Sequence, residues 1–359
     1  MVLRLSEELR RRGHFILPVG RAPGTGWLGE QFRRSGFTPE VYSLRWPIDP
    51  RCVRRLIHLF REYRIDAVHS HEFTMAVYGA AASRILGLPH VVTMHGGLTV
   101  CKALRRRVAL RWAMRGSDHT VMVSGATRGQ FAHDLGMDES RLAVVPNGVP
   151  VQRGDATRVR KEFDAGHRDC VLVAVGNLET HKGHRVLLEA LALLDTTDAR
   201  ASWKLIIAGG RGGPQHLPLL NYLEETGLSD RVRIVLNRDD IPDLLALADV
   251  FVMPSLWEGL PMALLEAMLA RKAIVASATA GIPEAITDGA DGILVPPGDV
   301  SALADALRQL IVNPKRRADL GAAALLRAEK NFTIQVMAER YERLYVRAAP
   351  VVGGSVRVA

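Results

Sequence analysis

The sequence predicts an α/β protein made of two doubly wound domains, each a parallel sheet with helices on both faces. Three observations lead there. Short apolar, β-rich runs alternate with longer helical patterns along nearly the whole chain, the signature of βα units. Runs such as VLVAVG (171–176) and KLIIAGG (204–210) are apolar at consecutive positions, as strands covered on both sides must be. The chain has 359 residues, which at roughly 100–200 residues per domain makes two.

A first series of strands is expected at 14–19, 67–70, 91–94, 119–123 and 142–145. A second follows at 171–175, 204–208, 232–235, 250–253, 273–276 and 292–295. Helical patterns lie between them, as at 51–63, 75–86, 184–194, 241–248 and 261–270. The series breaks at PVQRGDATRVRKEFDAGHRD (150–169), which is polar and reads as a linker. The resulting domains are 1–160 and 161–332, followed by a terminal segment, 333–359. That segment opens with a helical pattern carrying Val336, Met337, Tyr341, Leu344 and Tyr345 on one face. The tail beyond Pro350 reads as frayed.

Forty-eight per cent of residues are hydrophobic and 24% charged, ordinary for a globular chain. The charge is uneven. Residues 1–150 hold 22 Lys and Arg against 12 Asp and Glu, and the remainder 25 against 26. A basic first half suits an anionic partner such as a membrane surface, a phosphorylated acceptor or nucleic acid; plain solubilisation by arginine fits equally. Three cysteines, Cys52, Cys101 and Cys170, form no metal-ligand spacing and suit a reducing compartment. The opening MVLRLSEELRRRGH reads as a polar amphipathic helix and not as a signal peptide, and no run approaches the ~18 apolar residues of a membrane span. The expected location is cytoplasmic, or peripheral on the inner membrane face.

The richest motif is PSLWEGLPMALLEA (254–267). A strand ends before it, Glu258 follows in a loop, and Pro261 suits the first helical position. Free amides at that helix start attract an anion such as a phosphate. Carboxylates at Glu258 and Glu266 can each accept from paired sugar hydroxyls. Glu258 can also be read as a helix cap, and Glu266 as a solvated helix face. The second motif is VGNLETHKGH (175–184), where Lys182 sits at the start of a helix. A cation there opposes the helix dipole unless an anion lies between them; an exposed loop lysine is the bland reading. The third is TMHG (93–96) at the end of a first-half strand, presenting His95.

Together these residues resemble family 4 of the glycosyltransferases. The carriers are E-x7-E (Glu258, Glu266), G-x5-K-G (Gly176, Lys182, Gly183), TMHG, PNGV (146–149), AGIPE (280–284) and VPPGD (295–299), in the family's order along nearly the whole chain. The resemblance implies a GT-B fold, two Rossmann-like domains facing a cleft, and a retaining transferase that needs neither metal nor cofactor, its nucleotide-sugar donor being a substrate. It implies that Lys182 contacts the donor diphosphate and that Glu266 holds the ribose hydroxyls. Glu258, with the amides of Gly259 and Leu260, would contact the donor sugar and phosphate. Gly176 and Asn177 would line the donor loop. His95 would lie near the transferred sugar, and the last helix would return to the first domain. Lys182, Glu258 and His95 are thus the expected catalytic set, acting on a glycan, lipid-linked or small-molecule acceptor. Two departures stand out. Asn177 replaces the family's usual Arg, and the chain opens at the first helix, without the strand and Gly-rich loop that normally precede it. The expectation is that the true start lies upstream or that this form is impaired.

Other readings compete. GTGWLG (24–29) matches the dinucleotide pattern G-x-G-x-x-G but reads as a loop, with no clear helix after it. The segment 102–115 is a basic amphipathic helix whose Arg105, Arg106, Arg107 and Arg111, beside Leu104, Val108 and Trp112, could meet anionic lipid or simply water. With 6% aromatics and no recognised module, nucleic-acid binding is not expected. A GT-B epimerase, or an inactive relative acting as a partner protein, are the alternatives. Donor identity, acceptor and oligomeric state are not legible.

Overall fold

The computed structural model describes residues 1–22, 26–96, 103–197, 202–210, 212–348 and 355–359. They form two compact units. One is Met1–Gly148 with Ile334–Ala359, and the other is Val149–Thr333. Among the described residues no helix is long and apolar enough to cross a membrane.

The first unit holds β1 (Phe15–Ile16), β2 (Val19–Arg21), β3 (Glu40–Tyr42), β4 (Val68–His71), β5 (His90–Met94), β6 (His119–Met122) and β7 (Leu142–Val144), all paired in parallel. The single strand expected over 14–19 is divided at Pro18, which has no N–H to donate and whose carbonyl accepts from the Glu40 amide. The run GTGWLG is not the loop it seemed. Residues Gly26–Arg34 are helical, with Gly29 and Phe32 buried, while Gly24 and Thr25 lie outside the described residues. Trp27 and Leu28 stay exposed, so the apolar pattern does not betray the helix.

The second unit holds β8 (Cys170–Val175), β9 (Trp203–Gly209), β10 (Val232–Leu236), β11 (Val250–Met253), β12 (Ala273–Ser277) and β13 (Ile293–Val295). They make one parallel sheet in the order β10-β9-β8-β11-β12-β13. Alternate residues feed two cores. Leu172, Ala174, Leu205 and Ile207 face one, and Val171, Val173, Ile206 and Ala208 the other. That double burial is why these strands read as unbroken apolar runs. The stretch read as a linker is in part a helix, Ala156–Glu162, capped by Asp155 and burying Val159 against the second core. Its single buried side chain hid it among charges. Cys52 and Cys170 are buried free thiols, pushed up to about 11 and 12 by desolvation, and so chemically quiet.

The chain's end returns to the first unit. Helix Ile334–Ala348 buries Met337, Tyr341 and Tyr345 against Leu5 and Leu9 of the opening helix and Val91 and Val121 of the sheet. Arg12 and His14 both reach Glu342 at 2.7 Å. Of the tail beyond Pro350, read as frayed, residues 351–354 lie outside the described residues, and the end forms instead β14 (Arg357–Val358), parallel to β1 and bridged by Val358 to Ala67. The backbone of 356–359 exchanges hydrogen bonds with Phe15, Leu17, Asp66, Ala67 and His69. β14 therefore lies between β1 and Ala67, the residue just before β4. Its V-x-V alternation is too short to announce itself, and its partners lie roughly 290 to 340 residues away in sequence. Val356 and Val358 are buried, worth about 1.5–3 kcal/mol each. Deleting 355–359, or introducing Val358→Asp, is expected to lower the melting temperature by roughly 5–10 °C. An added peptide of sequence SVRVA should recover part of the loss of the deletion, whereas unchanged melting would show that the strand adds nothing.

Candidate active site

In the second sheet the order reverses at β8, which has β9 on one side and β11 on the other. Ligands of doubly wound sheets bind at the carboxyl ends of strands at such a reversal. Two of the sequence motifs sit there, VGNLETHKGH after β8 and PSLWEGLPMALLEA after β11.

The loop after β8 is held down from below. Gly176 donates to the Ala208 carbonyl, Leu178 is fully buried, and His184 Nε2 donates to the Asn177 carbonyl at 3.3 Å. Burial holds the His184 imidazole neutral, down to about 4. A short 3-10 turn, Thr180–Lys182, ends at Gly183 with φ +68°. A Cβ on Gly183 would stand 1.9 Å from the Pro254 carbonyl oxygen. Only glycine therefore lets this loop lie against the end of β11, where Leu256 N–H also donates to the His181 carbonyl at 2.7 Å.

That approach brings Lys182 Nζ to 2.6 Å from Glu258 Oε1. Ser255 Oγ donates to the same carboxylate oxygen at 2.9 Å. Glu258 is buried and does not cap the following helix, Met262–Leu269, whose first position has no side-chain cap. The lysine ammonium is thus half-buried next to a helix start, balanced by one carboxylate. Gly259 and Leu260 are buried between them and the helix. Glu266 is half-buried on that helix, between the buried Leu265 and Ala267. The Asn177 side chain is exposed, with its Oδ1 in the space a Cβ on Gly210 would need.

His95 belongs to the first unit, just beyond β5. It is part of a cluster the sequence reading missed. His95 Nε2 lies 3.1 Å from His71 Nδ1, and its backbone N–H donates to Glu72 Oε1 at 3.0 Å. His69 bonds Tyr345 through Nδ1 and Thr93 through Nε2, at 2.7 and 2.8 Å, and Thr93 meets Tyr341 at 3.0 Å. Desolvation pushes His69 down to about 3 and His95 to about 4, and raises the Glu72 carboxyl. The available signal was H-S-H-E (69–72), polar residues closing an otherwise apolar strand. The basic helix is observed at Leu104–Arg115, with Lys102 outside the described residues. Arg105, Arg106 and Arg107 are exposed beside the exposed Leu104, Val108 and Trp112. Arg111 departs from the expected patch: it is half-buried, its Nε has no hydrogen-bond partner, and its guanidinium packs beside Gly136.

Two Rossmann-like units, one gathering a lysine, a carboxylate and an uncapped helix start at its switch point, define a GT-B transferase. Comparison with known proteins agrees. Residues 155–327 match the family model for glycosyl transferases group 1, and residues 1–153 that for glycosyltransferase family 4. The chain belongs to glycosyltransferase family 4. It is 28% identical over 284 residues to a D-inositol 3-phosphate glycosyltransferase of Pseudarthrobacter chlorophenolicus, covering 75% of this chain and 67% of that one. It is 26% identical over 272 residues to the Escherichia coli UDP-Gal:alpha-D-GlcNAc-diphosphoundecaprenol alpha-1,3-galactosyltransferase, covering 72% and 70%. Anabaena HepE, solved in complex with UDP and glucose, superposes with a TM-score of 0.83 at 21% identity, over 96% of this chain and 95% of that one. These relatives do not favour the epimerase or the inactive-partner reading.

Gly183→Ala is expected to disrupt the loop after β8, lowering stability by at least about 1–3 kcal/mol from backbone strain alone; denaturant melts measure it. The buried imidazoles set an acid limit. His69, His90, His95 and His184 are held neutral far below the ordinary 6.5, at about 3, 4, 4 and 4. Below pH 6.5 the unfolded chain binds protons that the folded one cannot. Stability should hold above that pH and fall steadily as pH drops from 6.5 towards 4, as read by melting temperature against pH.

Proposed function

We propose that the protein is a retaining, metal-independent glycosyltransferase. It draws a sugar from a UDP-linked donor and delivers it to a hydroxyl of a lipid-linked or glycan acceptor. The observation that carries this reading is the Lys182–Glu258 pair beside an uncapped helix start at the sheet's switch point. An incoming diphosphate can take Lys182 from Glu258 and meet the amides of the helix, so two charge sources act on one leaving group. Glu266 would hold the ribose hydroxyls, Glu258 and the Gly259–Leu260 amides the donor sugar and phosphate, and His95 the transferred sugar, as the family resemblance implies. The C1–O bond to the diphosphate breaks, the acceptor oxygen bonds to C1 from the same face, and the acceptor's proton passes to a phosphate oxygen. The charge left on the diphosphate is what Lys182 stabilises, which is why no metal is needed.

The relatives' names support the donor and acceptor classes: UDP and UDP-galactose on one side, diphosphoundecaprenol on the other. The exposed stripe Leu104, Val108 and Trp112 with Arg105–Arg107 suits docking on an anionic cytoplasmic leaflet.

UDP and a panel of UDP-sugars are expected to raise the melting temperature, since binding at 100 times Kd adds about 2.7 kcal/mol. Lys182→Ala should weaken that binding at least tenfold, by about 1.4 kcal/mol or more. Turnover should survive EDTA, and the product anomer should match the donor's by NMR. No shift with any nucleotide or nucleotide-sugar would sink the reading. Reversing Arg105–Arg107 to glutamate should release the protein from anionic vesicles, leaving the UDP shift intact.

A further inference from the structure

We propose that His71 and Glu72 are positioning residues for His95, fixing its ring so that Nδ1 is the ring nitrogen that meets a bound sugar. The proposal rests on the reading above for the identity of that ligand, but its geometry stands within the first unit alone.

Three observations carry it. The first is the ring contact. His71 Nδ1 and His95 Nε2 are 3.1 Å apart, with the rings within 21° of parallel. In such a pair one nitrogen carries the hydrogen and the other accepts it. Loading both nitrogens would set N–H against N–H, so the contact couples the two tautomers; whichever ring donates, it engages His95 Nε2 and leaves His95 Nδ1 unengaged by it.

The second is the backbone. Glu72 Oε1 accepts the His95 N–H at 3.0 Å, so one carboxylate pins the residue's main chain while its neighbour pins the ring. Glu72 does this from φ +63°, a left-handed conformation that side chains other than glycine rarely adopt. Strain of this kind persists where surroundings over-determine it, and it concentrates at functional sites. Here it turns the chain sharply between β4 and helix Glu72–Leu86, and aims consecutive side chains at one target.

The third is the backing. The His71 ring lies 4.1 Å from the His69 ring, centroid to centroid. His69 in turn is fixed at both nitrogens by Tyr345 and Thr93. Tyr345 comes from the terminal helix, so the returning chain end braces the row His69–His71–His95.

The experiment reads the His95 ring directly. Long-range 1H–15N spectra of histidine-labelled protein at pH 7 should show His95 as a single tautomer. His71→Leu should give averaged nitrogens, and His71→Asn, whose amide puts a polar atom near the lost Nδ1, should restore one form. An unchanged His95 signal in His71→Leu overturns the proposal. With UDP-glucose turnover as the second readout, His71→Leu should lower kcat about 10–100-fold at unchanged KM, and His71→Asn should recover most of it. Glu72→Gly, which removes both the strain and the carboxylate, should keep or raise the melting temperature while lowering kcat about tenfold. Equal losses in Asn and Leu, or a loss confined to KM, also overturn it. Failure of the donor reading shows separately, as no UDP-induced melting shift in the unaltered protein, while the tautomer readout still decides the role of His71.

Discussion

Gly183 has no side chain, and the site at the switch point of the second unit depends on that. Its α-carbon lies where any larger residue would collide with the Pro254 carbonyl, so the loop after β8 and the loop after β11 can touch. From that contact follows the 2.6 Å pair of Lys182 and Glu258, and from the pair a half-buried cation held beside a helix start. A buried lysine with no partner would be expensive. Glu258 partners it and holds it in place, and Ser255 holds Glu258 in place. Charge arranged in advance in this way is the form of electrostatic stabilisation that acts at the least reorganisation cost.

The first unit solves a different problem. It buries several imidazoles at the ends of β4 and β5 and keeps them neutral by excluding water. Neutral rings can be tied to one another, to tyrosines and to threonine in a fixed pattern of donors and acceptors, whereas charged ones could not. The cost is sensitivity to acid, and the gain is a row of rigid rings ending at His95. The rigidity comes partly from far away in the chain, because Tyr341 and Tyr345 lie on the terminal helix, and β14 is bridged by Val358 to Ala67 just before β4.

Much of the site was legible because it is local. E-x7-E and G-x5-K-G place side chains by counting along a strand, a loop and a helix, and the loops indeed follow β8 and β11. What the residues could not reveal is that Lys182 and Glu258 face each other, since 76 positions separate them. The capping role considered for Glu258 failed for the same reason: its partner is a tertiary one. His71 and Glu72 escaped notice because a histidine in a strand carries no periodic signal, and a strained backbone angle has no letter.

The sequence by itself determined the two doubly wound units, nearly every strand, the helices between them and the family. Strands buried on both faces must be continuously apolar, and helices covering them must be amphipathic, so both write themselves into short windows. The tertiary structure alone decided that Arg357–Val358, near the chain's end, form a strand. It also decided that Gly26–Arg34 and Ala156–Glu162 are helices, and that Arg111 packs inward. Those outcomes depend on partners distant in the chain or on one or two buried side chains, and no window of neighbouring residues contains that information.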